Sequence, residues 1–232
     1  MTIENIPNTM KKNVLTILVL IASTAAYAQH DSNQSFTYEL GLTGTRTLDK
    51  MWFTHEIGYT YWFAPYMGVN GALRLDSQGR TAPKLGGTGT IDGYENTSWD
   101  CHPPVRFALG AGITLATPPL SLKNTDIFLF CDPKIYLTLP MSYITATVYY
   151  PNGTLDTKRI KARAQWISPE IDLGLTFKFN RFSVSPGYSF SLYDPYSGHR
   201  KMEIGSCKVG DSLPQFRNFN HGFFLRFTIH AE

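Results

Sequence analysis

The sequence predicts an all-β fold: an antiparallel up-and-down transmembrane β-barrel of about eight strands that follows a cleaved N-terminal signal peptide. Three observations predict it. Apolar residues recur with a period of two, short and long connections alternate, and the polar side of the strands carries charges of both signs. The composition agrees, because aromatic residues make up 14% of the 232 residues and charged residues only 17%, which favours strands over helices.

The N-terminal segment has the three parts of a secretory signal. Lys11 and Lys12 follow Met10, which we take as the start of translation, and an apolar run over 14–22 comes next. Ala26-Tyr27-Ala28 closes the run, so we expect Sec-type export and cleavage after Ala28. A membrane anchor is the alternative, but the run is shorter than the ~20 residues of a spanning helix. The predicted organisation is a signal peptide over 1–28 and an outer-membrane barrel domain over 29–232.

Alternation of apolar with polar or small residues begins at Ser35 and predicts the strands. Most of the alternating segments have about the 9–11 residues with which a tilted strand crosses a bilayer. They cover 36–43, 53–63, 67–75, 106–115, 126–139, 170–179, 182–192 and 219–229.

The connections fall into two groups. The turns at 64–65, 117–124 and 180–181 are short, whereas 78–104, 140–161 and 195–218 are long and polar; only the first hairpin, near 48–50, departs from this contrast. With both termini in the periplasm, all the short turns lie there and the long loops face outside, as in outer-membrane barrels. Residues 142–150 alternate too. We interpret that hairpin as an extension of strands five and six beyond the membrane, because a ninth spanning strand would separate the termini.

The polar face predicts a lumen filled by ion pairs, since an unpaired ion inside a small barrel costs several kcal/mol by rough estimate. Counting from the short turns matches Glu56 with Arg74, and Glu39 with Arg226. The alternative is that some of these side chains reach water at the rims. Glycines recur on the same face, where a crowded lumen needs small residues. The predicted network comprises Glu39, Glu56, Arg74, Arg106, Asp132, Lys134, Glu170, Asp172, Lys178 and Arg226.

Aromatic residues on the apolar face cluster near the short turns. A girdle of this kind belongs at a bilayer interface. Its predicted members are Phe36, Phe63, Phe177, Phe179, Phe182 and Phe227.

The remaining chemistry is sparse. Cys101, Cys131 and Cys207 form no CxxC or Cys/His metal pattern, so we expect no metal and no cofactor. Cys101 and Cys207 either bridge two loops or stay free thiols. The formal net charge of +3 comes without a basic run, which predicts no binding to nucleic acid.

This pattern resembles the small outer-membrane β-barrel family, the eight-stranded barrels of the OmpA/OmpX type, and is most similar to the bacteroidete outer membrane protein β-barrel domain. The resemblance covers about residues 29–232 and rests on architecture, not on a sharp motif. The C-terminus departs from it, because Ile229-His230-Ala231-Glu232 does not end in an aromatic residue. Pro133, Pro169 and Pro186 also lie within predicted strands, where each removes a ladder hydrogen bond.

Because a closed eight-stranded barrel is filled by its own side chains, we expect a non-enzymatic, integral protein of the bacterial outer membrane whose function lies in its loops. Such a protein acts through its long loops in structural support, adhesion or docking of an envelope or surface partner. Tyr143, Tyr149 and Tyr150 mark a candidate docking hairpin. Outer-membrane lipids, both lipopolysaccharide and phospholipid, are the expected surroundings, and the oligomeric state stays open.

Two other functions stay open. A lipid A-modifying barrel needs a nucleophile and a base near the outer rim, for which Asp194, Ser197 and His199, or His221 with Ser191, are the candidates. None of these groups matches an esterase signature, so no catalytic residue is predicted. The other function is a porin-like narrow solute pore or a secretion accessory barrel, against which the charge-filled lumen argues.

Overall fold

The computed structural model describes residues 33–44, 51–78, 85–101, 105–139, 143–161, 165–194, 196–213 and 219–231. The predicted signal peptide with its cleavage site and the short loop near 48–50 lie outside these residues. No helix among the described residues is long and apolar enough to cross a membrane.

The described residues form strands almost throughout, together with two single-turn 3-10 helices at 199–201 and 209–212. In chain order the strands are β1 (Gln34–Gly44), β2 (Met51–Ala64), β3 (Met67–Gln78), β4 (Leu85–Ile91), β5 (Tyr94–Cys101), β6 (Val105–Ala116), β7 (Leu120–Leu122), β8 (Thr125–Thr138), β9 (Tyr143–Tyr149), β10 (Leu155–Lys161), β11 (Ile167–Phe179), β12 (Phe182–Ser191), β13 (Glu203–Ile204), β14 (Cys207–Lys208) and β15 (Asn220–Ala231).

Eight of these strands close into an antiparallel barrel. Their order is β11-β12-β15-β1-β2-β3-β6-β8, and a further pairing of β8 with β11 completes the ring. Barrel strands that follow one another in the chain are neighbours, and β15 meets β1 at the seam. The predicted fold class is confirmed: the barrel is all-β, antiparallel and up-and-down, with eight strands.

The barrel wall has an apolar outside and a polar inside. Outward residues such as Ile57, Leu73 and Phe223 are 61%, 58% and 72% exposed, whereas the charged residues between them are buried in the lumen. Because successive side chains of a strand point to opposite faces, the period of two seen in the sequence produces this inversion directly. A surface of this kind is stable against lipid and would be unfavourable in water.

The aromatic girdle lies at the short-turn end, where both described chain ends also lie. Phe36, Phe63, Phe179 and Phe182 are exposed on the outer surface. Phe182 also stacks on Phe227 across the β12–β15 pair, with ring centroids 6.3 Å apart. Aromatic rings at this level anchor a barrel at one interface of the bilayer.

The strand prolines leave the register unchanged. The β6–β8 ladder is interrupted between Gly112↔Lys134 and Leu115↔Cys131, at the level of Pro133, and resumes in the same register. The β11–β12 ladder is interrupted in the same way beside Pro186. Each missing N–H therefore removes local pairing without adding a bulge.

One prediction about the long loops is wrong. The hairpin β9–β10 does not extend β8 and β11; it belongs to a second sheet, with the order β10-β9-β5-β4. Strands β4 and β5 come from the segment 78–104, which the sequence analysis treated as a polar loop. The signal for them was present, since Asp92-Gly93, with φ of 52° and 83°, forms a two-residue hairpin turn that needs positive φ at both positions.

Glycines inside the barrel make room for large inward rings. A Cβ on Gly110 would lie 2.6 Å from the ring of Tyr136, its direct partner on β8. The same holds for Gly174 against Phe130 and for Gly187 against Phe224, with separations of 2.4 Å and 2.2 Å. Pairing of glycine with an aromatic ring thus fills the lumen without straining the wall.

Replacing Gly110 with alanine should destabilise the barrel by about 1–3 kcal/mol, because the added methyl group overpacks the lumen against Tyr136. The matched control is Gly71→Ala, since Gly71 lies on the outer face and a Cβ there meets only one backbone oxygen, at 3.9 Å. Urea unfolding in detergent micelles, followed by the heat-dependent shift of gel mobility, measures both variants. Equal stability of the two would contradict the tight fit.

Candidate functional site: the lumen network and the cap

The lumen holds most of the predicted charges. Nine of the ten are buried: Glu39, Glu56, Arg74, Arg106, Asp132, Lys134, Glu170, Asp172 and Arg226. Lys178 is the exception, because it is half-buried near the short-turn end and makes no ion pair with any described residue. Asp76 joins the network although the predicted strand stopped one residue before it.

Arg226 gathers three carboxylates. Its guanidinium lies 2.9 Å from Glu39 and 3.1 Å from Asp172, and it also donates to Asp132. The same guanidinium lies 4.7 Å from the centroid of the Phe130 ring and 5.1 Å from that of Phe224. This packing between rings holds the cation at the point where β1, β8 and β11 present their acids.

Lys134 links this group to the middle of the lumen. Its Nζ lies 2.9 Å from Asp172 and 2.7 Å from Glu56. Tyr136, which is completely buried, donates a 2.6 Å hydrogen bond to the second oxygen of Glu56. Glu56 lies directly opposite Arg74 in the β2–β3 register, and their charged atoms are 3.9 Å apart.

Arg74 and Arg106 continue the network toward the long-loop end. Arg74 pairs with Glu170 and with Asp76, the latter at 2.8 Å. Arg106 pairs with Asp76 at 3.0 Å, and its guanidinium covers the ring of Tyr193 at 3.7 Å. Burial raises the pKa of Tyr193 to about 12, so the ring that Arg106 covers stays neutral.

The network leaves little open space. A cavity at its upper end is about 20 Å³, room for about one water molecule, and is lined by Thr43, Trp52, Arg74, Asp76, Arg106, Ser191, Tyr193 and Asn220. Ion pairs and inward rings therefore fill the lumen at the level of the wall, as expected for eight strands.

Above the barrel the long loops form a folded unit, which we name the cap: residues 85–101, 143–161 and 196–213. Its core combines side chains from all three loops with Trp52 at the top of β2. The buried members are Trp52, Ile91, Trp99, Cys101, Ala146, Val148, Tyr196, Met202, Ile204, Val209 and Leu213. Burial of this set makes the cap a packed structure, although its parts are far apart in the chain.

The hairpins of the cap are also joined at their tips. Asp92, in the β4–β5 turn, accepts hydrogen bonds from Lys158 and from the hydroxyl of Tyr150, and these bonds lower the pKa of its carboxyl group. Tyr94 packs edge-on against Tyr150, with ring centroids 5.0 Å apart. Tyr150 is therefore a structural contact within the cap.

The outer face of the cap sheet is accessible. Tyr149 is 43% exposed and its cross-strand partner Leu155 is 65% exposed. Of the predicted docking tyrosines, Tyr149 thus presents its ring outward, Tyr150 turns to Asp92, and the side chain of Tyr143 lies outside the described part.

The two edges of the cap sheet differ. Ser206 covers the β4 edge, where it donates to the Thr90 carbonyl, whereas no described strand pairs with the free edge of β10.

The catalytic candidates are drawn into structural contacts. Asp194 accepts hydrogen bonds from Arg200 Nε and from the backbone N–H of Tyr196. The hydroxyl of Ser197 accepts one from the backbone N–H of Gln165. His199 is buried beside Tyr196.

The alternative pairing of Ser191 with His221 is wrong. Ser191 is buried on the lumen side, while His221 contacts Tyr188 and Phe219 on the outer surface, so the barrel wall separates them.

All three cysteines are free thiols. Cys101 is buried in the cap core, and this burial raises its pKa to about 12, with a smaller contribution from Asp100. Cys207 rests against Gly89, with its sulfur 3.7 Å from the Thr88 carbonyl oxygen, and Cys131 lies on the outward side of β8. Among the described residues, no group of three or more His, Cys, Asp or Glu side chains is placed to hold a metal ion.

Inward rings and the cap core are what the sequence analysis missed. Phe130 and Phe224 occupy lumen positions of the alternating pattern, and their only signal is a glycine on the neighbouring strand.

The arrangement is a closed, eight-stranded antiparallel barrel with an apolar outer wall and a charged lumen. No family model and no curated protein matches the chain. Among solved structures it is similar to Neisserial surface protein A, with 8% identity, a TM-score of 0.42, and coverage of 85% of this chain and 96% of the other. It is also similar to Ail of Yersinia pestis in complex with the heparin analogue sucrose octasulfate, with 13% identity, a TM-score of 0.37, and coverage of 86% of this chain and 96% of the other. A third similar structure is that of the outer membrane enzyme PagL, with 10% identity, a TM-score of 0.38, and coverage of 85% of this chain and 99% of the other.

Replacing Arg226 with glutamine should destabilise the protein by about 3–5 kcal/mol, because Glu39, Asp132 and Asp172 then lose their shared cation inside the lumen. Lys178→Gln is the control, with an expected change within about 0.5 kcal/mol, since Lys178 makes no ion pair with described residues. Urea unfolding in micelles compares the two. An Arg226 variant as stable as the control would contradict the role of the ion pairs.

Cys101 should resist maleimide at pH 7.5 in the folded protein, because a buried thiol with a pKa of about 12 exposes no thiolate. The variant Cys131→Ala/Cys207→Ala isolates Cys101, and Cys101→Ala/Cys131→Ala isolates the less buried Cys207 as the control. Mass spectrometry should detect the label on Cys207 before it appears on Cys101, with Cys101 reacting after unfolding. A wild-type mass lower by two hydrogens would instead indicate a disulfide.

Proposed function

We propose that this protein is a non-enzymatic outer-membrane surface protein that docks a protein partner of the cell envelope or the cell surface through its cap. The observation that carries the proposal is the folding of three long loops into one unit, in which two loops form a four-stranded sheet and all three share an apolar core. Loops that only closed the barrel would need neither the sheet nor the core.

The filled lumen supports this function over solute passage. Arg226, Lys134, Arg74 and Arg106 hold a continuous set of ion pairs along the barrel, and the cavity above them has room for about one water molecule. With the barrel acting as a rigid anchor, the exposed loops are where binding takes place.

The outer face of β9 and β10 is the proposed contact. Tyr149 and Leu155 form an exposed apolar pair on a sheet that is otherwise rich in small polar residues, and aromatic anchors of this kind dominate protein interfaces. The free edge of β10 lies beside this pair and offers backbone groups for the addition of a partner strand.

The proposal includes the predicted route to the membrane. A signal peptide over 1–28, cleaved after Ala28, would export the chain, and insertion would leave both termini in the periplasm and the cap outside the cell. Lipopolysaccharide and phospholipid would then cover the apolar belt.

Site-specific photo-crosslinking in intact cells tests the docking. A photoreactive residue replaces Thr157, whose side chain is exposed on the outer face beside Leu155. We expect one discrete protein adduct, which Tyr149→Ser/Leu155→Ser reduces by about 10-fold or more, since an aromatic anchor contributes about 2 kcal/mol to an interface.

The matched control is Leu120→Ser/Leu122→Ser, which removes two equally exposed leucines at the short-turn end. This control should retain the adduct, and heat-dependent gel mobility checks that all variants fold. The proposal fails if no described cap position yields an adduct, or if both double variants reduce it equally.

A further inference from the structure

We propose that the outer wall at β12 and β15 holds a binding site for a lipopolysaccharide molecule, which contacts it through its lipid A part. The site is the aromatic patch, which we define as the side chains of Tyr188, Phe190, Phe219, His221 and Phe223. The inference does not depend on docking by the cap. It shares with the proposed function only the orientation that places the long-loop end outside the cell.

The rings of the aromatic patch form one continuous surface with Tyr188 at its centre. The centroid of this ring is 5.1 Å from that of Phe190, 5.7 Å from that of His221 and 4.7 Å from that of Phe223. Phe219 closes the surface, because its ring lies 6.4 Å from Phe190 and 5.8 Å from His221. Phe190, Phe219 and Phe223 are 42%, 49% and 72% exposed, so a ligand can reach the rings directly.

The aromatic patch is confined to one side of the barrel. Strands β3 and β6 lie opposite β12 and β15 in the ring of strands. Among the last three outward residues of β3 and of β6 at the long-loop end, Phe107 is the single aromatic one; the others are Leu73, Leu75, Ser77, Val105 and Leu109. A girdle that only anchored the barrel would surround it. The one-sided placement therefore indicates a local contact.

The aromatic patch also carries a hydrogen-bond donor without a described partner. The Tyr188 hydroxyl and His221 Nδ1 share one hydrogen bond. If the hydroxyl donates, the imidazole proton remains on Nε2; if Nδ1 donates, the hydroxyl proton remains. In either case an N–H or O–H group on the outer surface finds no second acceptor among the described residues. Because such a group is costly in an apolar surrounding, the lipid must offer it an oxygen.

Lipid A matches both properties of the aromatic patch. Its phosphate, ester and amide oxygens accept hydrogen bonds, and its acyl chains cover the apolar wall below. Its glucosamine rings present C–H groups of partial positive charge, which pack against the negative faces of aromatic rings. A glycerophospholipid offers similar oxygens but no sugar ring. The combination of ring surface and donor therefore favours lipopolysaccharide over phospholipid.

A second tyrosine–histidine pair on the outer wall provides an internal comparison. The Tyr38 hydroxyl and His55 Nδ1 are 3.0 Å apart on β1 and β2, so this pair also retains one donor. The direct cross-strand neighbours of His55 are Leu40 and Leu75, which have no ring. The pair thus has the donor without the aromatic surface, and we expect no lipid A site there.

Native mass spectrometry of the folded protein in detergent micelles, with lipid A added in steps, tests the site. We expect the wild-type protein to form a saturable complex with one lipid A and to bind it more tightly than phosphatidylethanolamine. Phe219→Leu/Phe223→Leu should weaken this binding by about 10-fold, because it removes two rings while the wall stays apolar. His221→Ala should weaken it by about 5-fold, since the donor is lost.

Two matched controls should bind lipid A as the wild-type protein does. Phe63→Leu/Phe179→Leu removes two exposed rings at the short-turn end, and His55→Ala removes the donor that lacks the ring surface. Heat-dependent gel mobility checks folding, and Phe223→Leu alone replaces the double variant if that variant fails to fold. Absence of the complex, an equal loss in variants and controls, or equal affinity for phosphatidylethanolamine would overturn the proposal.

Discussion

Everything in this molecule depends on where its polar groups are satisfied. The outer surface of the wall is apolar, so each charged side chain must find its partner inside a ring of eight strands, whose interior is just wide enough for side chains. The wall thus inverts the usual arrangement of a soluble protein, since leucines and phenylalanines face outward and guanidinium and carboxylate groups form the centre. The glycines opposite Tyr136, Phe130 and Phe224 are a direct consequence, because the same interior also has to accept three rings.

The ion pairs specify the register as well as the stability of the barrel. Glu39 with Arg226, Asp76 with Arg106 and Glu56 with Arg74 are ion pairs between direct cross-strand partners on three different strand pairs. A slip of one residue at any of these interfaces would turn a charged side chain toward lipid and leave its partner alone in the lumen. Pro133 and Pro186 can interrupt their ladders without shifting the strands because these side-chain pairs, distributed around the barrel, specify the register together with the backbone.

Much of the barrel was predictable from the sequence because its signals are local. The period of two, the charges in mid-strand and the contrast between short and long connections each lie within one or two segments, and the structure confirms the fold that they predict. The cap was not predictable in the same way. Ile91, Val148 and Met202 come from three loops, and the pairing of β5 with β9 joins residues about fifty positions apart, so no single loop shows a buried face.

Details of the lumen had the same limitation. The opposition of Asp132 to Asp172 follows from the register of β8 with β11, which the long loop between those strands does not constrain. Asp76 was missed for a simpler reason, since the predicted end of β3 fell one residue short. The catalytic candidates around Asp194 were chosen because they are close in sequence. In the structure Asp194 accepts hydrogen bonds from Arg200 Nε and from the Tyr196 backbone amide, so these neighbouring residues stabilise the conformation of their own loop.

Trp52 belongs to two structures at once, as the last inward residue of a wall strand and as a member of the core above it. Three segments that are separate in the chain must come together at the end of the barrel opposite the described chain ends before that core can assemble. Separation of β2 from its neighbours in the wall therefore also removes Trp52 from the core of the cap, so a local opening of the barrel at this strand weakens both parts at once.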